Sequence, residues 1–200
     1  MKQIVFYTGL LAAAVALTAG CAGKHAASIP KYSPPMPASI AVMPVLNETV
    51  DMKAPGVVRP IVYQKVTDRG YTSPSLQTVD EILAQHNIHD AGEVNQFTAQ
   101  QLGEMFSVDA ILYTTITDWS TTWLAIYASQ TVGLQFELRS SKDNQLLWHG
   151  HKTITERQIA GNERQMVGLA VSASLSPYQP LVRKTVNRIF RELPYARHHD

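Results

Sequence analysis

His149 and His151 stand one residue apart, a spacing that on a β-strand projects both imidazoles from one face. Two such groups could begin a zinc-type site, but a catalytic site needs a third protein ligand and a structural one a fourth. No Cys, Asp or Glu stands at a matching spacing nearby, so the pair is expected on the polar face of a hairpin with no metal bound. His198 and His199 fall in a terminal tail that is expected to be disordered. Serine chemistry would call for a Gly-x-Ser-x-Gly elbow, and phosphate binding for a glycine-rich loop after a strand; the chain has neither. Carboxylates occur singly or near helix starts, with Asp80 and Glu81 expected in a first turn where the helix dipole favours them. These residues make no catalytic set, and the expectation is a protein that is not an enzyme and takes no cofactor.

Cys21 is the only thiol in the chain. Met1-Lys2 precedes an apolar stretch, Ile4–Thr18, that is too short to span a bilayer comfortably and ends in small residues. That arrangement reads as a secretory signal peptide rather than a membrane-spanning helix. Thr18-Ala19-Gly20-Cys21 resembles the bacterial lipobox, with Thr18 where the pattern prefers Leu. The resemblance implies cleavage between Gly20 and Cys21, a diacylglyceryl thioether on Cys21 and acylation of the new N-terminus. One acyl chain binds a membrane marginally, whereas two or more anchor it stably. Ala22, rather than Asp, follows the cysteine, and in enterobacteria-like sorting this points to the outer membrane, periplasm-facing, with inner-membrane retention the lesser expectation. With Cys21 consumed no intrachain disulfide can form, so stability must come from a core.

The 180 residues after Gly20 suffice for one domain. Seventeen Lys and Arg against sixteen Asp and Glu give a formal charge of +1, with no basic block of the kind nucleic-acid binding uses. The expected division is a signal peptide at 1–20, a lipidated cysteine and Pro-rich tether at 21–37, an α/β domain at 38–195 and a tail at 196–200. Fully extended at about 3.5 Å per residue, Ala22–Pro37 reaches roughly 55 Å.

The elements follow from periodicity. Ser39–Leu46 is an apolar run expected as one buried strand. Pro60 is placed in the first turn of a helix running to about Arg69, with Ile61, Val62 and Val66 on one face and Gly70 ending it. Tyr71–Ser73 is expected as a second short strand. Thr78-Val-Asp-Glu81 and Thr98-Ala-Gln-Gln101 both read as capping boxes, the second with Phe97 and Leu102 as a hydrophobic staple. Ala110–Asp118 is β-branched and aromatic, hence a strand. Ile126–Leu138 alternates, with Ile126, Ala128, Val132, Leu134, Phe136 and Leu138 inward. Lys142–Asn144 turns the chain into Leu146–Thr155. Gln179–Leu193 is a helix with Leu181, Val182, Thr185, Val186, Ile189, Phe190 and Leu193 buried. The order predicts one α/β domain with a mixed sheet, a parallel start, an antiparallel hairpin and a closing C-terminal helix.

Trp119 and Trp123 flank Ser120–Thr122, in what is expected to be a loop just beyond the strand. They either cap the sheet and close the core, the plainer reading, or anchor a partner. Ala160–Ser176, with Met166 and Val171, is apolar and weakly periodic; it reads as a packed short helix or as a self-association or membrane-proximal face.

Ile40-Ala-Val-Met-Pro-Val-Leu-Asn47, Val108–Ile116, and Leu134–Leu138 with Asn144–Trp148 resemble the TolB N-terminal-type fold of CsgG-like and LpoB-like envelope lipoproteins. Lys31–Pro37, Ala54–Pro60 and Tyr113–Trp123 resemble, more closely, a proteobacterial lipoprotein family of unknown function whose members accompany a CsgG-like lipoprotein. The likeness covers nearly all of the mature chain and carries no catalytic residue. It implies a non-catalytic accessory component of an envelope assembly or transport complex, with a CsgG-like partner and room for homo-oligomers. The LpoB-like members imply the alternative, regulation of a peptidoglycan synthase. An enzyme with an unrecognised site stands third.

Overall fold

The computed structural model describes residues 36–124, 126–160 and 178–196. Gly20, Cys21, the tether as far as residue 35, Met166, Val171, His198 and His199 lie outside them.

The first strand is interrupted by its own sequence. Strand β1 (Ile40–Val42) pairs in parallel with the start of β3 (Ala110–Leu124), Ile40 beside Ala110. The Met43 N–H still reaches the Leu112 carbonyl at 3.1 Å, but Pro44 has no N–H to continue the ladder. Pairing resumes as β2 (Leu46–Asn47), also parallel to β3, at Thr115 and Ile116. The single strand expected over Ser39–Leu46 is therefore two. Tyr71–Ser73 forms no strand; Thr72 makes one isolated bridge to Ser39.

Helix α1 (Ala54–Thr67) starts a turn before the position expected from Pro60. Pro55 occupies the first turn and Pro60 lies inside the helix. Pro60 and Gly56 are both exposed, so the carbonyl left without its i+4 donor faces water, which makes the interior proline tolerable. Gly70, at φ 83°, turns the chain after the helix. Helix α2 (Leu76–Gln85) likewise starts earlier than expected. Ser75, not Thr78, is the N-cap, accepting from the Thr78 N–H at 3.0 Å. Asp80 and Glu81 are thereby displaced from the first turn. Asp80 meets Arg59 at 2.6 Å, and Glu81 accepts from the Gln77 carboxamide. A short helix α3 (Ala91–Val94), capped by Asp90, was not anticipated. Helix α4 (Ala99–Phe106) carries the expected capping box: Thr98 Oγ1 accepts from the Gln101 N–H and Gln101 Oε1 from the Thr98 N–H.

Strand β3 runs to Leu124, past the expected end at Asp118, with a bulge between Ile116 and Asp118. It pairs antiparallel with β4 (Tyr127–Ser140), and β4 with β5 (Leu146–Ile159), giving the order β1–β3–β4–β5 with β2 beside β3. This is the mixed sheet with parallel start and antiparallel hairpin that the element order predicts.

Alternation divides the core between the two faces. Ile40, Val42, Leu112, Ile116, Leu134, Phe136, Leu138 and Trp148 join α1 and the closing helix α5 (Gln179–Phe190) in one cluster. Ala41, Met43 and Ile111 point the other way, against Val79, Leu83, Leu102 and Phe106 of α2 and α4. All seven residues assigned to the buried stripe of α5 and its exit are buried, while Arg183, Lys184, Arg188 and Arg191 are exposed. Phe190 meets Phe136 edge-on at 5.2 Å and Trp148 at 5.5 Å, an edge-to-face geometry that aromatic rings favour. The close approach of α5 needs Gly150: a Cβ there would lie 2.4 Å from Ile189 Cγ2. Packing begins at Met36 and Pro37, inside the stretch assigned to the tether, and continues to the buried Ala196, whose N–H donates to the Arg69 carbonyl at 3.0 Å.

Candidate functional site

The residues that could have done chemistry are dispersed. His149 and His151 are exposed on β5, opposite Glu137 and Gln135. Among the described residues no group of three His, Cys, Asp or Glu is placed to hold a metal ion. No described helix is long and apolar enough to cross a membrane.

The two tryptophans are strand-borne, not loop-borne, and the extension of β3 separates them. Trp119 is buried, stacked on Tyr178 with centroids 4.1 Å apart, and its indole N–H donates to Asp51 at 3.2 Å. Trp123, four residues on, is 52% exposed. Beyond Ile116, β3 pairs only with β4 among the described residues, so the three antiparallel strands outrun the helices. At their end Leu124 is 64%, Ile126 53% and Ile159 74% exposed. Leu124 pairs with Tyr127, and Tyr127 with Ile159, which gathers these side chains at one tip. Ile126 had been placed on the buried face; it sits in the turn joining β3 and β4, past the reach of α5. Val50 and Met52 are also exposed and flank the Asp51 that holds Trp119. Every large exposed hydrophobic residue described, Tyr195 apart, thus lies at this end of the sheet. The apolar run around Trp123–Ile126 was the signal in the sequence; what it could not show is that nothing described covers it.

The other end receives the chain from the N-terminal side. The Asp109 carboxylate accepts from the Ala38 N–H, the Ser39 N–H and the Ser39 hydroxyl at 2.8–2.9 Å. Partial burial pushes its pKa up, but the Ser39 hydroxyl and the two N–H groups outweigh that and hold it below the ordinary carboxylate value. From Ala110 to Leu124, at about 3.3 Å per residue, the entry point and the apolar tip are roughly 46 Å apart.

A third feature was missed altogether. A cavity of about 450 Å³ lies on the face of β3 and β4 opposite α5, against the segment joining α3 to α4. Tyr113, Thr115, Gln135, Glu137 and Arg139 form its floor, and Gln96 and Phe97 its side. Arg139 donates through Nε and Nη2 to Glu137 Oε2, at 3.1 and 2.8 Å. Burial pushes the Tyr113 hydroxyl up to about 12, with Arg139 acting downward and Glu137 upward. Its residues come from places 19 to 43 positions apart in sequence (Gln96 to Thr115 and Arg139), so no local motif announces it.

Comparison with known proteins matches residues 30–187 to the GNA1162-like lipoproteins. A curated relative, the lipoprotein NMB1124/NMB1162 of Neisseria meningitidis serogroup B, is 29% identical over 137 residues. The match takes in 68% of this chain and 63% of that one, so it spans less than two thirds of the relative's own length. The crystal structure of lipoprotein GNA1162 from Neisseria meningitidis superposes with a TM-score of 0.59 at 28% identity, over 70% of this chain and 96% of that one. The PelC dodecamer from Paraburkholderia phytofirmans shares the fold at a TM-score of 0.51 and 14% identity, over 80% and 89%.

Proposed function

From the membership of this chain in the GNA1162-like lipoprotein family, we propose that it is a non-catalytic accessory component of an envelope assembly or transport complex. Its anchor is the lipid on Cys21, its membrane the outer one, and its partner a co-anchored, CsgG-like lipoprotein. The observation that carries the reading is the apolar end of the sheet: Trp123, Leu124, Ile126 and Ile159 are exposed together. Apolar side chains exposed together at one tip mark an interaction site, and aromatic residues are favoured anchors.

The chain outside the fold argues for which partner. The 15 residues from Cys21 to Pro35 reach at most about 53 Å, while the tip stands roughly 46 Å from the point where they enter the fold. A tether of this length favours a partner on the same membrane over a synthase across the periplasm.

A photo-reactive residue in place of Trp123, with a second at Ile159, tests the proposal in cells. The expected product joins this chain to a CsgG-like lipoprotein. A product containing only a cell-wall synthase, or only a second copy of the chain, overturns it.

A further inference from the structure

The cavity between the α3–α4 segment and the open face of β3 and β4 is independent of the apolar tip. We propose that it binds an uncharged, hydroxyl-rich sugar of about one pyranose unit, free or within a glycan.

Its size comes first. A volume of about 450 Å³ lies in the lower part of the range of small-molecule sites. Its lining comes second. Most such sites are apolar with a few polar groups, whereas this one is mainly polar. An apolar occupant would strand those groups without water, at a cost for each. The polar groups are also unspent. The Tyr113 hydroxyl, the Thr115 hydroxyl and the Gln135 carboxamide line the cavity with the exposed Gln96 beside them, and none takes part in a side-chain hydrogen bond to a described residue. Each both donates and accepts, as sugar hydroxyls do, so the two sets are complementary without any fixed direction of donation.

Charge narrows the class. Arg139 and Glu137 are closed on each other at 2.8 Å, which leaves the cavity without net charge from this pair. A charged ligand would give up its hydration and meet only this self-compensated pair. A neutral one can take charge-assisted hydrogen bonds from the guanidinium N–H groups not spent on Glu137 or on the Asn144 carbonyl. Phe97, half-buried at the side, offers a flat apolar surface to the C–H face of a pyranose.

Tyr113, Thr115 and Gln135 stand on paired strands and the Gln96–Phe97 segment runs into the capping box of α4. The backbone that carries the donors and acceptors is therefore set before a ligand arrives.

The test is saturation-transfer NMR on the full chain in a detergent free of sugar. The probes are N-acetylglucosamine, its trimer, maltotriose, and trigalacturonate as the charged control. Transfer from at least one uncharged probe, with affinity in the millimolar range, is expected. A trimer that binds more tightly than the monomer identifies a glycan chain as the source, and equal affinities identify a free sugar; both fit the site. Tyr113→Phe and Gln135→Ala should each weaken binding, and together by about tenfold or more, with the thermal midpoint kept. Thr115→Val serves if the Gln135 variant fails to fold. Arg188→Ala, on the solvent side of α5, should change nothing. Absence of transfer from every uncharged probe, preference for trigalacturonate, or binding indifferent to Tyr113→Phe and to Thr115→Val overturns the proposal.

Discussion

Trp119 and Tyr178 stack with their ring planes 21° apart and their centroids 4.1 Å apart. Tyr178 is the residue before α5, and its hydroxyl meets Thr121 Oγ1 at 2.5 Å. The contact fastens the start of the closing helix to β3 at the point where the strand leaves the body of the fold.

Truncating Trp119 removes that contact together with a ring that is only 8% exposed. Trp119→Ala should destabilise the protein by about 3 kcal/mol or more, as buried aromatic truncations do. Trp123→Ala, at an exposed position, should stay within about 0.5 kcal/mol while lowering crosslinking to the partner. Chemical denaturation of the two variants checks the contrast. Equal losses would mean that the tip is covered.

Gly150→Ala places a methyl 2.4 Å from Ile189 Cγ2 and 2.7 Å from Trp148 Cζ2. Overpacking of this kind costs about 1–3 kcal/mol. Since one of the obstructing atoms belongs to Ile189, Ile189→Ala in the Gly150→Ala background should cost less than Ile189→Ala alone. A double-mutant cycle with a coupling near zero would refute the close approach as its cause.

Asp109 ties Ala38 and Ser39 to the start of β3. Its folded pKa lies below the ordinary 3.8, so the fold favours the carboxylate over the acid. That stability is present above about pH 4 and is lost as the pH falls through the folded value. Asp109→Asn should therefore lose about 1 kcal/mol at neutral pH and show a flatter decline below pH 4. Urea midpoints measured from pH 7 to pH 2 should converge for the two proteins at the acid end. Parallel curves would remove Asp109 from the acid response.

Cys21→Ala deletes the only thiol and with it the proposed acylation site. Metabolic palmitate labelling should vanish, and fractionation should find the protein either uncleaved or as a soluble periplasmic species, since the sole acylation site is gone. Unchanged labelling would show that the lipid sits elsewhere.

Much of the fold was legible because it rests on short-range rules. The stripe of α5, the Thr98–Gln101 box, the turn at Lys142–Asn144 and the alternation of Val132, Leu134, Phe136 and Leu138 are each written within a few residues. Where the local reading failed, a neighbour in space had decided the matter. Pro60 looked like a helix start until its exposure let water satisfy the freed carbonyl; Thr78 looked like a cap until Ser75 took the role. Cys21 and its signal remain a statement of sequence, because export is read from an unfolded chain. The polar cavity and the apolar tip are statements of tertiary structure. One needs Gln96, Tyr113 and Gln135 brought together across three elements, and the other needs strands longer than the helices that cover them. Residue types determine what a side chain can bind, but only packing decides which of them are left uncovered to do so.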